Sequence, residues 1–190
     1  MKKTTILAAI VASSTALTAF AHGGATGIVK DRMDAMAEMG KAVKAVTPMM
    51  RGEAAYDADV LRQAAATFSR HAGEAMTQLF PEGTGGAPSE AKETVWTQWE
   101  EFSELAERLG VIAEGLAGAA DNGLVSSNGG AGMMGNGAMM GNSAMMGGGA
   151  MMDGGMMTAE QIASMPADGA FTMVTQVCSA CHTKFRTESQ

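Results

Sequence analysis

Two cysteines and a histidine stand close together near the C-terminus of this 190-residue chain. Cys178, Cys181 and His182 form a C-x-x-C-H pattern, which is the attachment sequence of a c-type haem. On a helix the two thiols lie one turn apart and face the same way. Both can then bond to the vinyl groups on one edge of a porphyrin, while the imidazole reaches the iron as its proximal ligand.

The same two cysteines have two other interpretations. One is a redox dithiol and the other is half of a zinc site. A dithiol of this kind follows a strand, but no strand pattern precedes Val177, and the chain has no further cysteine to complete a zinc site. Haem attachment is therefore the favoured prediction, and two cysteines also exclude a disulfide framework.

Four amphipathic segments surround this motif and are predicted to position it. Apolar residues recur in steps of three and four, which predicts helices from Ile28 to Met50, from Asp57 to Leu79, from Pro88-Ser89 to Asp121 and across the motif itself. The predicted core faces include Met36, Met39, Val43, Val46 and Met50; Leu61, Ala65, Phe68, Ala72, Ala75 and Leu79; Val95, Trp99, Phe102, Leu105 and Leu109; and Phe171 and Val174. The fold class is predicted to be all-α, an antiparallel four-helix bundle.

Helix ends are marked by side chains and glycines suited to them. Asp57 or Asp59 can cap the second helix and Ser89 the third, and Gly52 lies where glycine often ends a helix. The predicted organisation is a signal peptide at 1–21, three bundle helices in 22–122, an insert at 123–157 and the motif-bearing helix in 158–190.

Residues 1–21 resemble a secretory signal. Lys2 and Lys3 precede an apolar stretch, and Ala19-Phe20-Ala21 is a small-x-small cleavage site. No other segment is long and apolar enough to cross a bilayer. The mature protein is therefore expected in the periplasm, without a membrane span.

The segment 123–157 is a Met/Gly-rich low-complexity insert with five methionine pairs, at 133/134, 139/140, 145/146, 151/152 and 156/157. Dense glycine predicts a flexible linker. Repeat expansion of a tolerated linker is the favoured interpretation. The alternative is Cu(I) binding, because thioethers are soft ligands; His22, the expected mature N-terminus, could chelate Cu(II).

Charge and composition narrow the function classes. The formal net charge is -7, so a phosphate-binding surface and a nucleic-acid partner are not expected. No pair of residues forms an acid/base couple, and we do not expect an enzyme.

Several stretches resemble the cytochrome c′ family. Arg32 followed by Met36, R-G-E-A-A-Y-D at 51–57, F-P-E-G-T-G-G at 80–86 and Trp96 occur in the family's order. Cys178 to Arg186 matches the family's C-x-x-C-H-x-x-[FY]-R. The resemblance covers about residues 25–121 and 165–187. Ala55 stands where the family usually has proline, and the Met/Gly-rich insert departs from the family.

The resemblance implies one covalent haem c inside the bundle, often in a homodimer. His182 would be the proximal iron ligand with Arg186 close to it, and Arg32 would lie near a haem propionate. Met36 would face the distal side of the iron, where it either ligates the iron or only packs.

These two outcomes at Met36 imply different functions. Ligation implies a low-spin carrier of single electrons between redox partner proteins. An open or apolar distal face implies a protein that binds nitric oxide or carbon monoxide. Copper sequestration by the insert is a third hypothesis.

Overall fold

The structure, a computed structural model, describes residues 24–125 and 157–187. The expected signal peptide lies outside these residues, and so does the insert between 126 and 156. Of the paired methionines, Met157 alone falls within the described residues.

Four long helices make up most of the described chain. They are α1 (Gly27–Met50), α2 (Ala58–Arg70), α5 (Trp99–Ala119) and α7 (Ala167–Phe185). Three short helices lie between them, namely α3 (Glu74–Thr77), α4 (Thr94–Thr97) and α6 (Ala159–Ala163), and a 3-10 turn at Ala120–Asn122 extends α5. The predicted all-α four-helix bundle is confirmed.

Helix α1 ends where the sequence predicts. Gly52 has φ +71°, a conformation that glycine adopts without strain, and its N–H donates to the Met49 carbonyl at 3.1 Å. The buried face includes Ala35, Met39 and Val46, while Met36 is partly buried.

The second predicted helix is interrupted. Helix α2 begins at its predicted cap, since Asp57 accepts from the N–H groups of Asp59 and Val60, but it stops at Arg70. Gly73, at φ +57°, turns the chain so that its N–H donates to Ala106 of α5 at 2.8 Å. The turn changes which residues of the following segment face the core. Ala75 is therefore exposed, and Met76 is buried instead.

The third predicted helix is also divided. Its first part, α4, starts at Thr94 and ends before Gln98, where the backbone leaves the helical region. Ser89 does not cap it; the Ser89 hydroxyl accepts from Arg32 instead. Trp99 was expected in the core but is 41% exposed, because α5 starts at this residue in a new orientation.

Helix α6 was not predicted, although it has a sequence signature. Thr158 and Gln161 form a capping box, in which each side chain bonds the backbone N–H of the other residue. Ile162 of α6 is fully buried against α5, which approaches closely because Gly115 has no side chain.

Helices α1 and α7 have different principal packing partners. Helix α1 packs chiefly on α2, while α7 packs chiefly on α5. Phe102 is at the centre of the core, 4.7 Å from the Phe80 ring centroid and 5.4 Å from that of Phe185. Among the described helices, none combines the length and apolarity that a bilayer crossing requires.

Candidate functional site

A cavity of about 490 Å³ opens between α1 and the end of α7. Its volume lies in the range of about 300–1,000 Å³ that is usual for cofactor pockets. The third wall is the 79–92 loop, which connects α3 to α4. The residues that line the cavity include Arg32, Met33, Met36, Lys44, Phe80, Ser89, Glu90, Phe102, Cys181, His182, Phe185 and Arg186. The structure thus brings five of the six predicted site residues to one cavity.

The sixth, Cys178, lies just outside the cavity. It is partly buried against the core, one helical turn before Cys181. Both cysteines are free thiols. Burial raises the pKa of the Cys178 thiol, and burial together with Cys178 raises that of Cys181 to about 11. Reactive dithiols have lowered pKa values, so a redox dithiol is disfavoured.

His182 is placed at the cavity wall near the C-terminal end of α7. Partial burial lowers the pKa of its ring, and the charge of Arg186 lowers it further, while Glu90 acts in the opposite direction. A lowered pKa favours the neutral imidazole, which is the form that ligates metals.

Across the cavity, α1 presents two thioethers. Met36 is the predicted one, and Met33 was missed. The available signal was their spacing of three residues, which places both side chains on neighbouring parts of one helix face.

Arg32 is 5% exposed, and all five N–H donors of its guanidinium are engaged. Nε and Nη2 donate to the Leu79 carbonyl at 3.0 and 2.8 Å. Nη1 donates to the Thr84 carbonyl at 3.4 Å and to Ser89 Oγ at 2.7 Å, and Nη2 donates to Thr84 Oγ1 at 2.7 Å. The guanidinium carbon also lies 4.0 Å from the Phe80 ring centroid.

These bonds give Arg32 a role in the protein itself, beside the role expected from the family. Its acceptors in the described chain are carbonyls and hydroxyls of the 79–92 loop, none of them a carboxylate. Burial lowers its pKa. The resemblance to the cytochrome c′ family implies a propionate near Arg32; a direct hydrogen bond to a propionate would replace one of these protein bonds.

Arg186 is positioned by the same loop. Its Nε donates to Glu90 Oε2 at 2.6 Å, and its backbone forms an antiparallel bridge with Ala91. Within the described ranges, no group of three or more His, Cys, Asp or Glu side chains is arranged to hold a metal ion.

Comparison with known sequences identifies the family. A family model described as Cytochrome C' matches residues 27–134. The chain belongs to the cytochrome c′ family. A cytochrome c' from Pararhodospirillum photometricum is 33% identical over 104 residues, covering 54% of this chain and 82% of the relative. A cytochrome c-556 from Agrobacterium tumefaciens (strain B2A) is 32% identical over 88 residues, covering 46% of this chain and 70% of the relative.

Solved structures support the same cytochrome c′ fold. Cytochrome c' from Rhodopseudomonas palustris superposes with a TM-score of 0.58 at 18% identity, covering 87% of this chain and all of that one. Cytochrome c' from Thermochromatium tepidum has a TM-score of 0.55 at 24% identity, covering 85% and 95% of the two chains.

Cytochrome c′ membership implies a covalently bound haem c, and the residues present fit this group. A c-type haem is attached through two thiols and ligated by an imidazole, with a thioether as a second ligand in some proteins. This chain offers two thiols one turn apart, an imidazole on the same helix and a thioether on the opposite wall. The cavity between them has apolar walls from Phe80, Phe102 and Phe185.

Proposed function

We propose that this chain is a monohaem carrier of single electrons in the periplasm, and not an enzyme. Cys178 and Cys181 attach the haem, His182 is the proximal ligand and Met36 is the sixth ligand. The observation that carries the proposal is the shared cavity, since His182 on α7 and Met36 on α1 line it from different helices.

The haem supplies a reversible one-electron change at its iron. The chain's own residues set the conditions for that change. The thioether of Met36 stabilises the ferrous state, and the phenylalanine walls limit access of water, which also tunes the potential. The buried positive charge of Arg32 favours a cofactor that carries carboxylates.

The experiment begins with protein from a host that performs cytochrome maturation. Intact-mass measurement is expected to show the added haem, and Cys178→Ala with Cys181→Ala is expected to abolish it. The ferrous spectrum is expected to be low-spin. Met36→Ala should make it high-spin, and Met33→Ala, the matched control at the second cavity thioether, should leave it low-spin.

Each result has a distinct meaning. A colourless wild type without haem mass overturns the whole proposal. A wild type that is already high-spin, and unchanged by Met36→Ala, overturns ligation and electron carriage by a six-coordinate iron. A high-spin Met33→Ala with a low-spin Met36→Ala assigns the ligand to Met33.

A second candidate is a five-coordinate haem protein that binds nitric oxide or carbon monoxide. Structural neighbours from Alcaligenes xylosoxidans include a nitric oxide complex of one variant and a carbon monoxide complex of another. Met36 would then only pack over the distal face. Adding nitric oxide to the ferrous wild type separates the candidates, because an occupied sixth position slows or prevents binding.

Homodimer formation also stays a prediction, since it rests on the family alone.

A further inference from the structure

The 79–92 loop is fixed at both sides of the cavity by backbone and side-chain bonds to residues that do not ligate iron. Between α3 and α4 it contains no helix, yet it contributes Phe80, Ser89 and Glu90 to the cavity wall. Such a long irregular segment keeps a defined position only where other elements hold it.

On one side the loop is held by α1. The guanidinium of Arg32 spans it from Leu79 to Ser89. Ser89 Oγ also accepts from the Ala91 N–H at 3.2 Å, so this hydroxyl joins Arg32 to the part of the loop that faces α7. Arg32 lies one helical turn before Met36 on α1.

On the other side the loop is held by the end of α7. The Lys92 N–H donates to the Phe185 carbonyl at 2.8 Å, and the Thr187 N–H donates to the Glu90 carbonyl at 2.8 Å. The Glu90 carboxylate pairs with Arg186 at 2.6 Å. These anchors follow His182 by about one helical turn.

The two anchored helices have little other contact, because α1 packs chiefly on α2 and α7 chiefly on α5. The loop therefore joins a point one turn from Met36 to a point one turn from His182. We propose that the 79–92 loop sets the separation of the two cavity walls, so that Ser89 and Glu90 are positioning residues for iron coordination by Met36. This inference rests on the proposed haem ligation.

The test uses the haem-loaded Ser89→Ala, Glu90→Ala and double variants. The matched control is Asp121→Ala, which removes a carboxylate from the exposed ion pair with Arg62, away from the cavity. We expect the ratio of high-spin to low-spin ferric haem to rise roughly tenfold in Ser89→Ala, which loses a hydrogen bond to the buried charge of Arg32. In Glu90→Ala it should rise by about two- to five-fold, because the ion pair with Arg186 is nearly half exposed. Both anchors hold the same segment, so their effects should not add. The high-spin to low-spin ratio of the double variant should therefore be only slightly larger than that of the more affected single variant.

The reduction potential gives a second readout. It should fall in the loop variants, because loss of the thioether destabilises ferrous iron, and stay unchanged in Asp121→Ala. Should Glu90→Ala fail to mature, Glu90→Gln is expected to shift spin state in the same direction by a smaller factor. Low-spin haem with an unchanged potential in the loop variants overturns the positioning role while leaving the proposed function intact.

A wild type that is high-spin overturns Met36 ligation, but the loop is still tested. The association rate of carbon monoxide with ferrous haem should then change at least several-fold in the loop variants, because the α1 wall covers the distal side, and should not change in Asp121→Ala. Equal rates in all of these proteins overturn the positioning role.

Discussion

Substituting alanine for two glycines on the same helix is expected to change stability in opposite directions. Gly110 and Gly115 both lie inside α5. Gly→Ala in a helix stabilises by about 1 kcal/mol where the new methyl group has space. At Gly110 the nearest atom to an added Cβ is Ala72 Cβ at 3.6 Å, an ordinary contact, so Gly110→Ala should stabilise the protein by about that amount.

At Gly115 the added methyl group has no space. It would lie 2.5 Å from Ile162 Cβ and 2.9 Å from the Ala159 carbonyl oxygen. Neither atom can move by a side-chain rotation, so α6 itself must shift away from α5. Overpacking of this kind costs about 1–3 kcal/mol, and exposing Ile162 costs about 1.5–3 kcal/mol. Because the costs overlap and the helix gains propensity, Gly115→Ala should destabilise by about 1–2 kcal/mol.

The assay is urea unfolding of the haem-loaded proteins, followed by far-ultraviolet circular dichroism. The two variants should have the same m-value as the wild type, with midpoints displaced in opposite directions. If Gly115→Ala is as stable as Gly110→Ala, the close packing of α6 on α5 is wrong. Haem spectra of both variants should match the wild type, since neither glycine lines the cavity.

Three further predictions concern other parts of the chain. Arg32→Lys removes at least two of the five hydrogen bonds to the loop, because an ammonium carries three N–H groups, and should cost about 2 kcal/mol in urea unfolding; an unchanged midpoint would argue against the network. The pKa of Glu38 is lowered from 4.5 chiefly by its hydrogen bond to His71, so the stabilisation is present near neutral pH and is lost as pH falls through the lowered value. Glu38→Gln should therefore weaken the acid-induced loss of stability, whereas Glu107→Gln should not; identical profiles would contradict the pair. Deleting 130–157, which lies almost wholly outside the described residues, should leave both the haem spectrum and Cu(I) uptake unchanged if the insert is a linker, and loss of Cu(I) uptake would establish the copper alternative.

Sequence periodicity was sufficient to predict the four long helices, but it did not predict where two of the predicted helices are interrupted. The repeat of Leu61, Ala65 and Phe68 locates α2 because local spacing and burial agree there. The break at Gly73 depends on a hydrogen bond to Ala106, 33 residues further along the chain, and no local pattern contains that information. The exposure of Trp99 has a similar origin, since it follows from the break at Gln98.

The site was predictable to the extent that its chemistry is local. The C-x-x-C-H spacing alone specifies two thiols and an imidazole on one helix, and Arg32 could be assigned to the apolar face of α1. Its acceptors could not be assigned, because Leu79, Thr84 and Ser89 lie on a loop without a periodic pattern. Helix α6 could have been found, since Thr158 and Gln161 have capping-box spacing.

The occupied donors of Arg32 bear on how a cofactor with carboxylates would be held. A guanidinium whose five N–H groups already bond to protein keeps its full positive charge, so it can attract a carboxylate without donating to it. The α1 wall of the cavity offers a second cation, Lys44, which lies about three turns from Arg32 and is exposed. Arg32 can thus attract a carboxylate of the cofactor by its charge alone, while Lys44 can donate hydrogen bonds to a carboxylate at another point of the α1 wall. This separation leaves Arg32 free to fix the loop, and the geometry around Met36 then depends on protein bonds rather than on the cofactor's own side groups.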